Sequence, residues 1–299
     1  GRGFWILYNL RPLHEVSDEV AASEVHLYEV RNPYRLYAAR RFGEPGPDEP
    51  QYPNPGANVD YYLASEPSGE VRLEILNATG DVVRAFSSDE AKSAIQFSNS
   101  IRMGNWSLEG AGTPQLPKTA GMHRFTWDLR HAGPWSQSLQ QSGGNGPMVV
   151  PGLYQARLSV GNWSQVVSFE VLMDPRIAEE GTVTVANVQE QVKLSLDVRN
   201  ALSDARLAVA KLDEAQAANS PKDVMQALRE IREQLVTASR RYSRPMLVDQ
   251  LNYLYSGLTR ADQQPGQDAV DRYQELNSML SDYIGRLEQV LRSQSVADD

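Results

Sequence analysis

Residues 71–86 read VRLEILNATGDVVRAF, and this stretch decides the fold of the first half of the chain. Polar and apolar side chains partly alternate on both sides of a central turn sequence, which is typical of half-buried antiparallel strands. Asn77 and Gly80 supply the backbone conformations that a tight hairpin needs. The stretch therefore predicts a β-hairpin.

Similar strand-like runs recur on both sides of this hairpin, separated by turns that contain glycine or proline. Together with the hairpin strands they occupy residues 59–63, 71–76, 82–86, 123–129, 154–160 and 166–171. Short strands with such turns predict an immunoglobulin-like antiparallel β-sandwich, which we place at residues 56–180. Before it, residues 1–55 end in a segment with five prolines between Gly43 and Pro55, which predicts an extended linker.

The second half of the chain has the period of helices. Apolar residues recur at intervals of three and four in runs at residues 194–212, 224–238, 247–261 and 273–290. Prolines mark the breaks, and Ser243 is placed to cap the third helix. Because short connections favour antiparallel neighbours, residues 181–299 are expected to form an up-and-down four-helix bundle. The chain as a whole is thus predicted to be an α+β multidomain protein.

The composition of the chain limits the kinds of partner and site that it can have. The 299 residues carry a formal net charge of −9, so we expect no nucleic-acid partner. No apolar run is long enough for a transmembrane segment. The absence of cysteine excludes disulfides and thiolate metal sites. The chain begins at Gly1 with neither an initiator Met nor a signal peptide, which indicates a piece of a longer protein.

Several segments resemble one protein family. They are GRGFWIL at residues 1–7, ANVDYYL at 57–63, GMHRFTWDLR at 121–130, PGLY at 151–154 and MDPR at 173–176. Together they resemble the closing strand and C-terminal region of bacterial BNR/sortilin-type β-propeller proteins, often labelled glycosyl hydrolases. Tyr8-Asn9 replaces the acidic pair usual in that family. The middle part is also similar to the Ig-like domain of flagellar hook-capping proteins.

The resemblance implies an exported protein, periplasmic or extracellular, with a propeller upstream of this chain. In such proteins the propeller would hold any glycosidase or ligand-binding centre. The Asp-box pattern Ser-x-Asp-x-Gly-x-x-Trp that marks propeller blades is missing from these residues. The family label describes a fold rather than a chemistry. The resemblance therefore implies that any hydrolase activity resides in the propeller.

The pair Trp127-Asp128 has two interpretations. In the catalytic one, Asp128 works with Asp60 or Glu74, because glycoside hydrolysis needs two carboxyl groups facing one bond. In the structural one, Trp127 fills the sandwich core while Asp128 accepts turn amide hydrogens. We favour the structural interpretation and predict no catalytic residue in this chain.

The four histidines, His14, His26, His123 and His131, share no metal-ligand spacing. We therefore predict no metal site and no cofactor. Arg240, Arg241 and Arg244 form a small basic cluster. We interpret this cluster as charges at a helix C terminus rather than as an anion site.

The candidate binding residues are aromatic. Trp106, Trp135 and Trp163 stand beside small and polar residues, where indole rings can stack on sugars or fill a partner's pocket. Tyr52 lies in the proline-rich segment 43–55. The leading hypothesis is a non-catalytic interaction or scaffold module that docks on a protein partner, the propeller or a larger, membrane-bound assembly. The alternative is an accessory, carbohydrate-binding part of a secreted propeller glycoside hydrolase.

Overall fold

The computed structural model describes residues 9–37, 55–89, 95–97, 106–108, 114–137, 144–217 and 221–297. These residues form two compact units. The first comprises the described parts of residues 1–95, 113–131 and 148–185, and the second those of residues 96–112, 132–147 and 186–299. Antiparallel strands dominate the first unit and long helices the second, which confirms the predicted α+β class.

Two short helices open the described chain. They are α1 (Arg11–Glu15) and α2 (Asp18–Ala22). Ser17 caps α2, because its hydroxyl accepts a hydrogen bond from the Val20 amide at 3.2 Å. The carboxylate of Glu15 accepts a hydrogen bond from the Glu29 amide at 3.1 Å, which fastens this segment to the chain that follows the first strand.

Nine strands follow in chain order within the described residues. They are β1 (Val25–Leu27), β2 (Ala57–Leu63), β3 (Val71–Asn77), β4 (Val82–Ser87), β5 (Ile95–Phe97), β6 (Trp106–Leu108), β7 (Gly121–Trp127), β8 (Gly152–Val160) and β9 (Trp163–Val171). Strands β5 and β6 pair with each other. The remaining strands form two antiparallel sheets, ordered β1-β2-β7 and β4-β3-β8-β9.

The hairpin predicted from residues 71–86 is confirmed as β3 and β4. Arg72 pairs with Ser87, and the register continues to the turn with one irregularity between Ile75 and Leu76. The turn is held by the Asn77 side chain, whose carbonyl accepts hydrogen bonds from the amides of Thr79 and Asp81. Gly80 has φ +86°, a backbone conformation that other residues rarely adopt.

The two sheets enclose one apolar core. Trp127 at the end of β7 is fully buried, and its ring lies 5.9 Å from that of Tyr154 on β8. Phe86 on β4 and Phe125 on β7 approach to 4.5 Å. Burial of these aromatic rings stabilises the sandwich, since each removes a large apolar area from water.

The segment that follows β1 leaves the three-stranded sheet and runs along the edge of the four-stranded sheet. The Gln165 side chain on β9 accepts a hydrogen bond from the Leu27 amide and donates one to the Leu27 carbonyl, both at 3.0 Å. Further along, Asn32 accepts from the Glu170 amide, and residues 33–35 pair with Leu172 just beyond β9. Residues 27–35 therefore cover the outer edge of β9.

The outer face of the four-stranded sheet carries a charged triad. Glu74 on β3 is largely buried between two arginines, with its carboxylate 2.6 Å from Arg157 Nη2 and 3.0 Å from Arg72 Nη2. Burial alone would raise the pKa of Glu74, but the hydrogen bonds from Arg157 and Arg72 outweigh it and lower the pKa below 4.5.

Five helices complete the described part of the chain. The first, α3 (Pro175–Glu180), is capped by Asp174, which accepts a hydrogen bond from the Arg176 amide at 3.0 Å. The others are α4 (Val185–Ala217), α5 (Lys222–Leu235), α6 (Leu247–Leu258) and α7 (Gln267–Ala297). Each of the four predicted helical runs therefore has a helix. The described part of the chain contains no helix with both the length and the apolar character required to cross a bilayer.

The direction of α6 differs from the up-and-down prediction. Gln191, Arg206 and Asp213, in rising order along α4, contact Leu258, Asn252 and Arg232, in falling order along α6 and α5. Both short helices thus run antiparallel to α4, one beyond the other. Helix α7 returns along them, because Arg272 contacts Gln250 while residues 282–286 share a concavity with residues 230–234.

The helical unit is therefore a bundle of three columns, in which α5 and α6 together form the middle column. The predicted up-and-down four-helix bundle is wrong in this respect. The reason is the connection between α5 and α6, which is long enough to leave the column and re-enter it in the same direction. Ser243 does not cap α6, whose N-cap position is Met246.

Replacing Glu74 with Gln is expected to lower the free energy of unfolding near neutral pH by about 1–2 kcal/mol, because two charge-assisted hydrogen bonds weaken. The folded-state pKa of Glu74 is depressed, so its contribution is present above pH 4.5 and is lost as the pH falls through the lowered pKa. Urea denaturation as a function of pH measures both effects.

The matched control is Glu170→Gln, on the exposed side of β9 in the same sheet. It should retain the acid-induced loss of stability seen in the wild type, whereas Glu74→Gln should show a smaller loss. An equal loss in Glu74→Gln and the wild type would contradict the assignment.

Candidate functional site

The carboxylates considered for catalysis lie on different sheets. Asp60 on β2 is buried and forms a two-point ion pair with Arg124 on β7, at 2.7 and 3.1 Å. Glu74 belongs to the triad on the other sheet. Because Asp60 and Glu74 occupy the outer faces of two opposed sheets, the structure does not bring them together.

The structural interpretation of Trp127 and Asp128 is confirmed. Trp127 is fully buried in the sandwich core, and its indole nitrogen donates to the Arg130 carbonyl at 3.1 Å. Asp128 accepts a hydrogen bond from the Arg130 amide at 3.2 Å, as expected for a carboxylate that stabilises a turn.

The histidines lie apart in ordinary contacts. The ring of His26 packs edge-on against Tyr28, and His123 Nε2 lies 2.6 Å from the Thr119 carbonyl. His131 contributes its backbone carbonyl, which accepts a hydrogen bond from Arg84 at 3.1 Å. In the described segments, no three His, Asp or Glu side chains come together as a metal-binding group.

The two predicted tryptophans whose side chains the structure describes belong to different units. Trp135 is 8% exposed and belongs to the helical unit, where its amide donates to Ser203 and its carbonyl accepts from Arg206. Trp163 begins β9 and packs, partly buried, against the sandwich core. Trp106 begins β6, but its side chain lies outside the described residues, as does Tyr52.

The helical unit carries a surface groove. We call it the α6–α7 groove. It is bounded by α6, the connection 259–266 and the first turns of α7, and its volume is about 1080 Å³. The groove is lined by Pro245, Asp249, Gln250, Asn252, Tyr253, Leu254, Ser256, Gly257, Leu258, Arg260, Gln263, Pro265, Gly266, Asp268, Ala269 and Arg272.

The groove combines an apolar floor with a charged rim. Leu258 is buried, and Leu254 and Ala269 are partly buried in the core of the bundle. Around the floor stand exposed acidic and basic side chains, including Asp249 and Arg260. Apolar centres with polar rims that contain tyrosine and arginine are typical of protein interfaces.

Two exposed residues on α6 give the groove its character. Tyr253 is 84% exposed, although it stands on a helix whose other face is buried. Gly257, one turn further on, has no atom within 4 Å of the position a Cβ would occupy. Glycine inside a helix costs stability relative to alanine, and a larger side chain would fit at this position. The fold therefore does not require glycine here.

The buried side chain of Gln191 on α4 holds one wall of the groove in place. Its amide nitrogen donates to the carbonyls of Leu258 and Ala261 at 2.6 and 2.7 Å. Its carbonyl oxygen accepts from the Gln263 amide at 3.2 Å. One side chain thus satisfies backbone groups at the end of α6 and in the connection, which would otherwise need water or a cap.

Sequence reasoning did not find this groove. The apolar pattern of α6 identified its core positions, but not which of its outer residues face a neighbouring helix. Two features of the sequence could have indicated it. Gly257 lies inside a helical run, and Tyr253 lies outside the apolar positions of that run. Neither feature identifies a groove without the three-dimensional arrangement.

Comparison of the sequence with protein-family models gave no match, and no curated protein matched it significantly. The resemblance to the C-terminal region of β-propeller proteins therefore stays a prediction.

Replacing Gln191 with Leu should lower the free energy of unfolding of the helical unit by roughly 2–3 kcal/mol, because it leaves two carbonyls and one amide without their partner. Hydrogen exchange of the Gln263 amide should accelerate. Gln289→Leu, at an exposed position on α7, is the matched control and should leave both quantities near their wild-type values. Unchanged exchange at Gln263 in Gln191→Leu would contradict this role.

Proposed function

We propose that this chain is a non-catalytic interaction module that docks a partner protein through the α6–α7 groove. The groove itself is the observation that carries the proposal. Its apolar floor offers buried area, and its rim offers charged and aromatic groups that fix the orientation of a partner. A partner helix or extended segment that lays apolar side chains along the floor is the mode of recognition that suits such a surface.

The open shape of the groove supports a protein partner over an enclosed small ligand. Its α6 rim is open to solvent, since Asn252, Tyr253 and Ser256 are all exposed. An open, elongated surface suits a row of side chains better than one enclosed molecule.

In this proposal the sandwich is of immunoglobulin type, which the sheet orders β1-β2-β7 and β4-β3-β8-β9 support. The parent protein is exported to the periplasm or cell exterior, and the chain docks on an upstream β-propeller or a larger, membrane-bound assembly. The resemblance of residues 1–7, 57–63 and 121–130 to propeller proteins supports this part.

The carbohydrate-binding alternative gains no support from the described tryptophans. A sugar platform needs indole faces exposed side by side. Trp135 is 8% exposed, and Trp163 is partly buried in the other unit. Protein docking is therefore the function that the described surface supports best.

Gly257→Leu is expected to weaken partner binding, because the new side chain would project from an exposed, groove-lining position into space that the partner would occupy. Leucine favours helix over glycine by roughly 1 kcal/mol, so the variant should fold at least as well as the wild type. The matched control is Gly285→Leu, an exposed glycine inside α7 that also has open space at its Cβ position and does not line the groove.

The measurement is quantitative mass spectrometry of proteins that co-purify with the tagged parent protein from its native source. A stoichiometric protein recovered with the wild type and Gly285→Leu, but reduced roughly tenfold or more with Gly257→Leu, would support the proposal. Equal recovery in all three samples, or co-purification of glycan without protein, would refute it.

A further inference from the structure

The middle column of the bundle is interrupted by residues 236–246, which we call the arginine loop. Helix α5 ends at Leu235 and α6 begins at Leu247. The base of the loop is closed by a hydrogen bond of 2.9 Å from the Met246 amide to the Thr237 hydroxyl. Compact loops whose ends meet in this way are frequently functional.

The arginine loop is strongly basic for its chain. Residues 236–246 contain Arg240, Arg241 and Arg244 and no Asp or Glu, whereas the whole chain carries a net charge of −9. All three arginines are exposed. Within the part of the chain that the structure describes, their guanidinium groups form no ion pair.

These positions correct the interpretation of the cluster as charges at a helix C terminus. Arg240 lies five residues beyond Leu235, the last residue of α5. Favourable interaction with the helix dipole is confined to the last turn. The charges therefore do not serve to stabilise α5.

Tyr242 stands at the tip of the loop in a strained conformation. Its φ is +63°, and its side chain is 91% exposed. Leu129 has a similar φ of +58°, but its side chain fills the sandwich core, where burial offsets the strain. Tyr242 has no comparable burial, and the Arg241 guanidinium lies 5.3 Å from the centroid of its ring.

The loop also forms a concavity of about 500 Å³. Its lining includes all three arginines and Tyr242, together with Val236, Ala238, Ser243, Met246 and Glu233. The site is thus a small hollow with cationic walls and an aromatic edge.

We propose that the arginine loop binds an acidic segment of the partner protein. Guanidinium groups hold carboxylates by paired hydrogen bonds, and the exposed Tyr242 ring supplies contact area at little cost in entropy. The inference rests on the proposed function, because the segment belongs to the docked partner, and it adds the chemistry that the partner must present.

The surroundings of the loop favour a short acidic segment over a nucleic acid or a membrane. Glu233 lines the hollow itself, and the chain is acidic overall. A duplex or an anionic bilayer would bring many negative charges against these acids. A narrow segment with a few carboxylates can contact the three arginines without placing many charges against these acids.

The test uses the full chain and a fluorescein-labelled hexa-aspartate peptide, with binding followed by fluorescence anisotropy at low ionic strength. The triple variant Arg240→Gln, Arg241→Gln, Arg244→Gln should weaken binding at least tenfold, about 1.4 kcal/mol. The control Arg31→Gln, Arg229→Gln, Arg292→Gln changes the net charge equally at exposed positions elsewhere and should bind as the wild type does. Equal weakening in both triple variants would overturn the proposal.

Tyr242→Asn separates binding from folding. Asparagine tolerates a positive φ better than tyrosine, so thermal stability should stay constant or rise while peptide affinity falls. A loss of stability with unchanged affinity would show that Tyr242 serves the fold and would count against the site.

Two further ligands, polyphosphate and phosphatidylglycerol vesicles, test the class of ligand that the loop binds. Polyphosphate or phosphatidylglycerol vesicles that bind more tightly than the peptide, and lose binding in the loop variant, would overturn the assignment to an acidic protein segment. Gly257→Leu should leave peptide binding unchanged. Failure of groove docking and failure of acidic recognition therefore give different results.

Discussion

Packing against α4 is the constraint on which the helical unit depends. Its buried positions continue from Val188 to Leu212, so the neighbouring column must supply apolar side chains along most of that length. Neither α5, with 14 residues, nor α6, with 12, is long enough alone. Both therefore lie along α4, and the polar residues between them leave the column.

The surface features of the unit follow from this arrangement. The arginine loop protrudes because residues 236–246 carry few apolar side chains to place against α4. The α6–α7 groove forms because α6 ends after three turns and the connection to α7 is held back by Gln191. Two candidate contact surfaces on one unit thus result from one interrupted column.

Much of the secondary structure was predictable from the sequence, because it depends on local periodicity. The hairpin at residues 71–86 and the four helical runs were identified in this way. The direction of α6 was not, because it depends on where α5 ends. The apolar pattern extended to Ala238, whereas α5 ends at Leu235. The connection from α5 to α6 is therefore longer than the pattern predicted. The same difference of a few residues moved Arg240 from a helix end to a loop tip.

The residue types that suggest chemistry serve stability in the sandwich. Asp60 with Arg124, and Glu74 with Arg157, connect neighbouring strands on the outer faces of the sheets, and Arg72 pairs with Glu74 along β3 itself. The sequence shows the carboxylates but not their partners across the sheet, which is why a catalytic pair could be considered at all. The lining of the groove falls within one stretch of the chain, residues 245–272, but the sequence does not show how α6, the connection and α7 are arranged in space.

The covered edge of β9 has a consequence for the behaviour of the protein at high concentration. A nine-residue edge strand is a template on which another molecule could add a strand and begin an aggregate. Gln165, Asn32 and residues 33–35 use hydrogen-bonding groups along that edge. Strand-to-strand growth from β9 would have to displace this segment first, so the crossing of residues 27–35 between sheets acts as a built-in barrier to fibril-like self-association.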